Sequence, residues 1–313
     1  MRCRIFAILL TVAGWPAGHA LGWRATGDEF VSGIAIEKLP DDVPAFVRDP
    51  ATPPEIAVMG RELDRSKGAG ETHDKERDPG QYIDPGTTPS RSIVPLDKLP
   101  VTREVYDTQL RAGGSTQNKA GYLPYSVDGW QQIVKDFGYW RAAVKGAETA
   151  ATPKERAWFE ADRRLREKLT LRDIGVWSHY VGDASQPLHV SVHYNGWGNY
   201  PNPQGYTTSR IHAAFEGEFV RKNVKREAVA AGVQPFAACN CKVEQKTQEL
   251  LLASLAQATP LYEIEKQAAS RAAIRAAAVR RAASWPRAAA SARPTAVSAP
   301  SPEPMPQRWH CWL

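Results

Sequence analysis

The stretch HYVGDASQPLHV, residues 179–190, carries the clearest indication of fold and chemistry in this sequence. His179 and Asp183 are four residues apart, so a helix places both side chains on one face, about 6 Å apart at Cβ. Pro187 stops the helix, and His189 follows where the chain turns. The stretch therefore predicts a helix that ends beside a group of nitrogen and oxygen donors.

A second stretch, RIHAAFEGEF at residues 210–219, repeats this pattern with His212 and Glu216. A single such pair is more often a surface hydrogen bond than a ligand set. Two helices that each offer a histidine and a carboxylate, with His189 between them, are a typical way of gathering zinc ligands. The combination favours a metal site.

Helical periodicity runs through most of the chain and predicts an all-α fold, a single multi-helix domain with long loops over residues 23–266. Thr152–Glu155 forms a capping box with proline at the first helical position, which predicts a helix running toward Ala184. Ser126 is predicted to cap an earlier helix. The residues expected to face inward from these helices include Trp130, Ile133, Val134, Phe137, Val144, Trp158, Leu165 and Leu169.

The region from Pro50 to Pro124 is rich in glycine, proline and aspartate, and predicts long irregular loops with short helices. Residues 267–313 combine alanine, arginine and proline without an apolar stripe, and we expect a disordered tail. Cys239 and Cys241, with one residue between them, favour a local disulfide or none.

The first residues resemble a secretory signal peptide, with Arg2 and Arg4 before the short apolar run Ile5–Val12. The run is too short to cross a bilayer, and no later segment is predicted to span one. We therefore expect removal of residues 1–22, a mature chain that starts at Trp23, and a secreted or periplasmic location.

The basic net charge of +6 is concentrated at the two ends of the chain. Residues 1–22 carry +2 and residues 267–313 carry +6, which leaves −2 for residues 23–266. A long-range basic field for nucleic acid is therefore absent from the predicted domain. Affinity for phosphate has to come from a local site, and bound metal ions are the obvious source.

The two stretches, with a glycine-rich loop between them, resemble the signature of the zinc-dependent nucleases of the S-one/P-one type, which are related to the bacterial zinc phospholipases C. The resemblance covers essentially residues 23–266. Further matching segments are Trp23–Asp28, Asp64, Gln81–Asp84 and Gly121–Tyr125.

The resemblance implies three zinc ions at the bottom of a cleft in a helical domain. The implied ligands are Asp64, Gln81, His179 and Asp183 for the first zinc; His189, His212 and Glu216 for the second; and the main chain of Trp23, Asp28 and the bridging Asp183 for the third. The family has histidine where this chain has Asp28 and Gln81. A carboxylate can replace histidine, whereas a neutral amide is a weak zinc ligand. We expect a complete second site, a weakened first site, and one to three zinc ions.

The resemblance also implies roles around the metals. Asp64 would orient the attacking water, and Lys67 would pair with phosphate or remain solvated. Tyr82 and Asp84 would bind a nucleobase, and stacking contributes about 1–3 kcal/mol per base. The expected activity is hydrolysis of single-stranded RNA or DNA, with 3′-nucleotidase activity in addition and no stable protein partner.

Two alternatives stay open at this point. A phospholipase C is favoured by Glu216, where nucleases of this type have aspartate, but the long loop from His189 to His212 and the Tyr82/Asp84 pair favour a nuclease. A metal-depleted, non-catalytic protein is favoured by the residues at positions 28 and 81.

Overall fold

The computed structural model describes residues 24–65, 67–86, 93–234 and 241–283. Within these ranges there is no β-strand, only two isolated bridges, Ile83 to Gly121 and Tyr194 to Gly196. The predicted all-α class is confirmed. The helices are α1 Arg24–Glu37, α2 Ala45–Arg48, α3 Thr52–Arg65, α4 Glu71–Arg77, α5 Arg103–Ala112, α6 Gln117–Ala120, α7 Leu123–Val127, α8 Trp130–Thr149, α9 Pro153–Ala184, α10 Val220–Asn223, α11 Arg226–Gly232, α12 Val243–Ala256 and α13 Ala258–Ala283. Short 3₁₀ turns cover Asp78–Gln81, Leu96–Lys98 and Pro187–Val190, and a π-helix covers Ala214–Phe219.

Helix α9 is the axis of the molecule, and its start and end are those that the sequence predicts. The side chain of Thr152 accepts a hydrogen bond from the main-chain N–H of Glu155, whose carboxylate accepts one from the N–H of Thr152, so the capping box is confirmed. The helix ends at Ala184, ahead of Pro187. Helices α8, α3, α1 and α7 all pack against α9.

Small residues let α1, α3 and α9 approach closely at one level. Gly60 on α3 faces Gly175 on α9, and a Cβ at Gly60 would lie 3.2 Å from the carbonyl oxygen of Gly175. At the same level the hydroxyls of Ser32 and Ser178 are 2.7 Å apart. We call these four residues the small-residue layer. Because α1, α3 and α9 are all helical here, the residues one turn away from the layer also come close together.

Three apolar clusters surround α9 and the loop that follows it. Ile83, Leu123 and Leu251 belong to the largest, which joins α7 and α12 to the end of α9. Leu188 and Tyr262 belong to a smaller cluster that fastens the Pro187–Val190 turn to α13. Both clusters lie beside the segment that carries His189, so that segment is held by packing on two sides.

The structure corrects several of the local predictions. Part of the region Pro50–Pro124 that was expected to be irregular forms the 14-residue helix α3. Ser126 lies inside α7, and Gly129 precedes α8 instead. Three residues that were expected to face inward are instead exposed: Val134 (57%), Trp158 (63%) and Leu165 (53%). Fewer elements pack on α8 and on the first half of α9 than the apolar pattern predicts.

The predicted boundary at Lys266 does not coincide with the end of a helix. Helix α13 starts at Ala258 and continues to Ala283, so residues 267–283 of the expected tail are helical. Residues 284–313 and the predicted signal peptide, residues 1–22, lie outside the described ranges, and the division into segments stays a prediction. None of the helices in the described part of the chain combines the length and hydrophobicity needed to cross a membrane.

Candidate metal centre

The described candidate ligands other than Gln81 come from five elements that meet at one end of α9. Asp28 lies on α1 and Asp64 on α3, one turn from the small-residue layer in each case. His179 and Asp183 lie on the last turns of α9, and His189 on the 3₁₀ turn after it. His212 and Glu216 lie at the start of the segment that contains the π-helix. All are buried apart from Asp64, which is slightly more exposed than the others.

Two groups of donors form within this end of the molecule. Asp28, Asp64 and His179 each offer one atom within 4.8 Å of the others, and we call them the aspartate group. Its shortest recorded separations are 3.6 Å from Nδ1 of His179 to Oδ2 of Asp28, and 3.7 Å from Nε2 of His179 to Oδ1 of Asp64.

His189, His212 and Glu216 meet the same criterion, and we call them the imidazole group. Oε1 of Glu216 is 2.6 Å from Nε2 of His212 and 3.3 Å from Nε2 of His189. Both imidazoles therefore direct Nε2 toward one carboxylate oxygen. Two imidazole nitrogens and one carboxylate oxygen make up a common protein donor set of zinc sites.

Asp183 lies between the two groups. Its Oδ2 is 3.3 Å from Nε2 of His179, and its Oδ1 is 3.5 Å from Nδ1 of His189. Asp183 thus contacts the ring nitrogen of His179 that also faces Asp64, whereas on His189 it contacts Nδ1 and not the Nε2 that faces Glu216. The implied bridge from Asp183 to a third ion stays a prediction, because Trp23 of that set lies outside the described residues.

Many polar atoms of this centre are buried without a hydrogen-bond partner. They include both carboxylate oxygens of Asp28 and Asp183, both ring nitrogens of His179, Nε2 of His189 and Oε2 of Glu216. Buried polar atoms are normally paired, because removing them from water is costly. Divalent cations would satisfy these atoms together, so the residues present fit a metal centre.

Burial and mutual attraction shift the proton affinities of the centre in opposite directions. Burial raises the pKa of Asp28 to about 6. Burial opposes the charged form of His189, but the carboxylates of Asp183 and Glu216 raise its pKa to about 9. Burial likewise acts against the charge of Asp183, yet His179 and His189 lower its pKa. The carboxylates around His179 likewise raise its pKa against the effect of burial, whereas burial lowers the pKa of His212.

The main chain of Gln81 sets the tautomer of His189. The ring Nδ1 of His189 donates to the carbonyl oxygen of Gln81 at 2.5 Å, because a carbonyl can only accept. That bond leaves Nε2 free to face Glu216. The predicted role of Gln81 was side-chain ligation. Its side chain is buried, with Oε1 unpaired, and its recorded contact with the centre is the main-chain one.

Gln186 belongs to the centre, although sequence reasoning did not single it out. Its side chain is buried; Nε2 donates to Oε1 of Glu216 and lies 3.3 Å from Nε2 of His212. Its Oε1 accepts from the main-chain N–H of Leu188 at 2.6 Å. A polar residue directly before Pro187, inside the histidine motif, is the sequence signal that could have identified it.

Lys67 lies at the edge of the aspartate group. Its Nζ is 2.9 Å from Oδ1 of Asp64, and the two side chains are only 8% and 9% exposed. Lys67 therefore neutralises the carboxylate of Asp64 in a largely buried ion pair. The alternative prediction, that the amine of Lys67 is solvated, is wrong.

Tyr82 and Asp84 flank a residue that is bound to the centre. Between them, Ile83 donates its main-chain N–H to the carbonyl oxygen of His189 at 2.8 Å. The hydroxyl of Tyr82 donates to the carbonyl of Asn118, and Oδ1 of Asp84 accepts from the N–H of Gly86 at 2.9 Å. The exposed Asp84 and half-buried Tyr82 are thus the chain neighbours of a residue whose main chain contacts His189.

Trp23, which belongs to the third implied zinc set, lies outside the described residues. Asp28, which was assigned to that set, lies with the aspartate group. No family model, no curated protein and no solved structure matched this chain.

Proposed function

We propose that this protein is a zinc-dependent phosphodiesterase that cleaves single-stranded RNA or DNA, with 3′-nucleotidase activity as a second reaction of the same site, and that it belongs with the S-one/P-one nucleases. The observation that carries the proposal is the pair of neighbouring buried donor groups, each with buried polar atoms that have no hydrogen-bond partner. A site of this kind is built for more than one divalent cation.

Bound divalent cations would supply Lewis-acid polarisation of the phosphodiester and a lowered pKa for a water molecule. Asp64 is the least buried carboxylate among the candidate ligands, so it lies where water and substrate must enter. We assign it the task of orienting the attacking water. Lys67 holds the carboxylate of Asp64 in position through a largely buried ion pair.

The position of Tyr82 and Asp84 supports a nucleotide substrate. Both are fixed next to His189 through the main chain of Ile83, so a base stacked on Tyr82 would keep its phosphate close to the imidazole group. The carboxylate of Asp84 would accept a hydrogen bond from a base edge. Bases are accessible in single strands and hidden in duplexes, which gives the expected substrate preference.

Export of the protein is part of the proposal. The basic and apolar residues at the start of the sequence support a secretory signal. Cys241 is disulfide-bonded, and disulfides persist in oxidising compartments outside the cytosol. Amino-terminal sequencing of exported protein should find Trp23 as the first residue.

The test compares zinc-loaded protein on a single-stranded oligonucleotide, on the matching duplex and on phosphatidylcholine vesicles. We expect cleavage of the single strand to exceed that of the duplex, to stop on chelation and to return with zinc. The variant His212→Gln should lose at least about 100-fold in rate. The control His73→Gln, on α4 and outside both donor groups, should not.

Two outcomes would contradict the proposal. Cleavage of the lipid alone would make the protein a phospholipase C. Absence of hydrolysis in protein that retains zinc would make it a non-catalytic metal-binding protein.

A further inference from the structure

The two donor groups differ in chemistry. Three carboxylates and one imidazole surround the first position, since Oδ2 of Asp183 lies 3.3 Å from His179 beside Asp28 and Asp64. Two imidazoles and one carboxylate surround the second position. Imidazole suits zinc, whereas carboxylate suits magnesium, calcium and manganese. The two positions therefore present different preferences within one centre.

We infer that this centre holds two different divalent ions, zinc in the imidazole group and an oxygen-preferring ion of the manganese class in the aspartate group. The inference rests on the proposed metal-dependent function and names the metal at each position. The single histidine of the aspartate group favours manganese over calcium or magnesium, because both of those prefer all-oxygen sites.

Asp28 is the residue that makes the first position oxygen-rich. Its side chain is buried, neither oxygen has a hydrogen-bond partner, and Oδ2 lies 3.6 Å from Nδ1 of His179. A buried carboxylate in this setting needs a cation. With histidine in its place, the first position would hold two imidazoles, as the second does, and the difference between the positions would largely disappear.

The formal charge of the centre fits two ions. Asp28, Asp64, Asp183 and Glu216 contribute four negative charges and Lys67 one positive charge, a total of −3. Two divalent cations leave the centre at +1, which one hydroxide or one phosphodiester neutralises. Three cations would leave +3 in a buried site.

The test uses the full chain stripped of metal and given one equivalent of zinc followed by excess manganese. Zinc generally binds a given site more tightly than manganese, so zinc has to be limiting. After removal of free ions, we expect about one zinc and about one manganese per chain by elemental analysis. Electron paramagnetic resonance should show immobilised Mn²⁺.

Variants assign each ion to its position. Asp28→His should raise the affinity of the first position for zinc over manganese by about tenfold, so that a second equivalent of zinc displaces the manganese. Glu216→Gln should lose zinc and keep manganese. Asp128→Asn, a control at the C-terminal end of α7, should bind both ions as the parent does.

The outcomes separate this inference from the proposed function. Protein that binds two zinc ions with similar affinity, retains no manganese beside one zinc and cleaves single strands would overturn the inference and leave the nuclease proposal standing. Protein that retains neither ion would overturn both. If the parent and Asp28→His retain manganese equally, Asp28 does not determine the metal preference of the first position.

Discussion

At the scale of single residues, Gln186 joins parts of the centre that are distant in sequence. Its amide donates to Glu216 and accepts from the N–H of Leu188, so one side chain ties the imidazole group to the turn that carries His189. Partners of this kind orient metal ligands, and their loss typically lowers metal affinity 10–100-fold. Gln186 thus holds Glu216 in place without being a ligand.

Replacing Gln186 should weaken zinc binding without unfolding the protein. For Gln186→Ala we expect a fall in zinc affinity of about 10–100-fold, measured by competition with a fluorescent chelator. Gln132→Ala provides a matched control, because Gln132 also donates to a buried carboxylate, Asp136 on α8, away from the centre. Equal zinc affinities in the two variants would mean that Gln186 does not position Glu216.

Asp128 gives a prediction about pH, because it lies outside the centre. Burial, reinforced by the nearby charge of Glu244, raises its pKa to about 6. The folded state therefore keeps this proton while the unfolded chain loses it, and the stability contributed by the protonated group falls as pH rises from about 4 to about 6. We expect Asp128→Asn to be more stable than the parent at pH 7.5.

The gain in stability from Asp128→Asn should vanish below about pH 3, where both states of the parent are protonated. Urea denaturation across this pH range, with zinc held constant, measures the difference in unfolding free energy. A difference that does not change with pH would contradict the assigned cause.

At the scale of elements, the small-residue layer sets the distance between α3 and α9. Asp64 follows Gly60 by four residues, and His179 follows Gly175 by four, so the close approach of the two glycines brings both ligands together one turn later. Ser32 and Asp28 repeat this spacing on α1. Helix packing below the centre therefore determines the geometry of the aspartate group.

The variant Gly175→Ala should disturb both packing and metal binding. A Cβ there would lie 2.6 Å from Cβ of Met59 and 3.2 Å from the main chain of α3, so the helices must separate. We expect a loss of about 1–3 kcal/mol in unfolding free energy and weaker binding of the ion in the aspartate group. Thermal denaturation and metal titration measure the two effects.

Gly138→Ala on α8 is the control for this substitution. A Cβ at Gly138 meets no atom within 4 Å, and alanine is the better helix former, so we expect a gain of about 0.5–1 kcal/mol with unchanged metal binding. Equal stability of the two alanine variants would show that the layer does not control the distance between α3 and α9.

The sequence predicts only part of the conformation of the segment after the glycine-rich loop. The spacing of His212 and Glu216 predicts an α-helix, whereas residues Ala214–Phe219 form a π-helix. The wider turn still brings Oε1 of Glu216 to 2.6 Å from Nε2 of His212. Single π-turns are frequently found at functional sites, so the π-helix agrees with the predicted role of this segment.

At the scale of the whole molecule, cations should contribute to stability. The candidate ligands come from α1, α3, α9, the 3₁₀ turn and the π-helix segment, so a bound ion joins elements from most of the chain. Ligands that bind only the folded state stabilise it by about 4 kcal/mol at a free concentration of about 1,000 times Kd.

Chelation should therefore lower the melting temperature, and zinc should restore it. Calorimetry with and without a chelator measures the shift. Asp64→Asn should show a smaller shift than the parent, because it has one weaker ligand. A melting temperature that chelation leaves unchanged in metal-containing protein would mean that the ions do not link these helices.

Local patterns predicted helix α9 and the two ligand pairs, although they missed α3. The capping box Thr152–Glu155 and the spacings of His179/Asp183 and His212/Glu216 depend on neighbours within one helical turn, so the printed order of residues suffices to predict them. For the same reason the all-α class followed from periodicity alone.

Only the tertiary structure brought Asp28 to His179, Gln186 to Glu216 and the carbonyl of Gln81 to His189. These contacts join residues that are 151, 30 and 108 positions apart, and no local pattern encodes them. The first contact arises because small residues allow α1, α3 and α9 to pack closely. The other two depend on the packing of the Pro187–Val190 turn in the apolar clusters on its two sides.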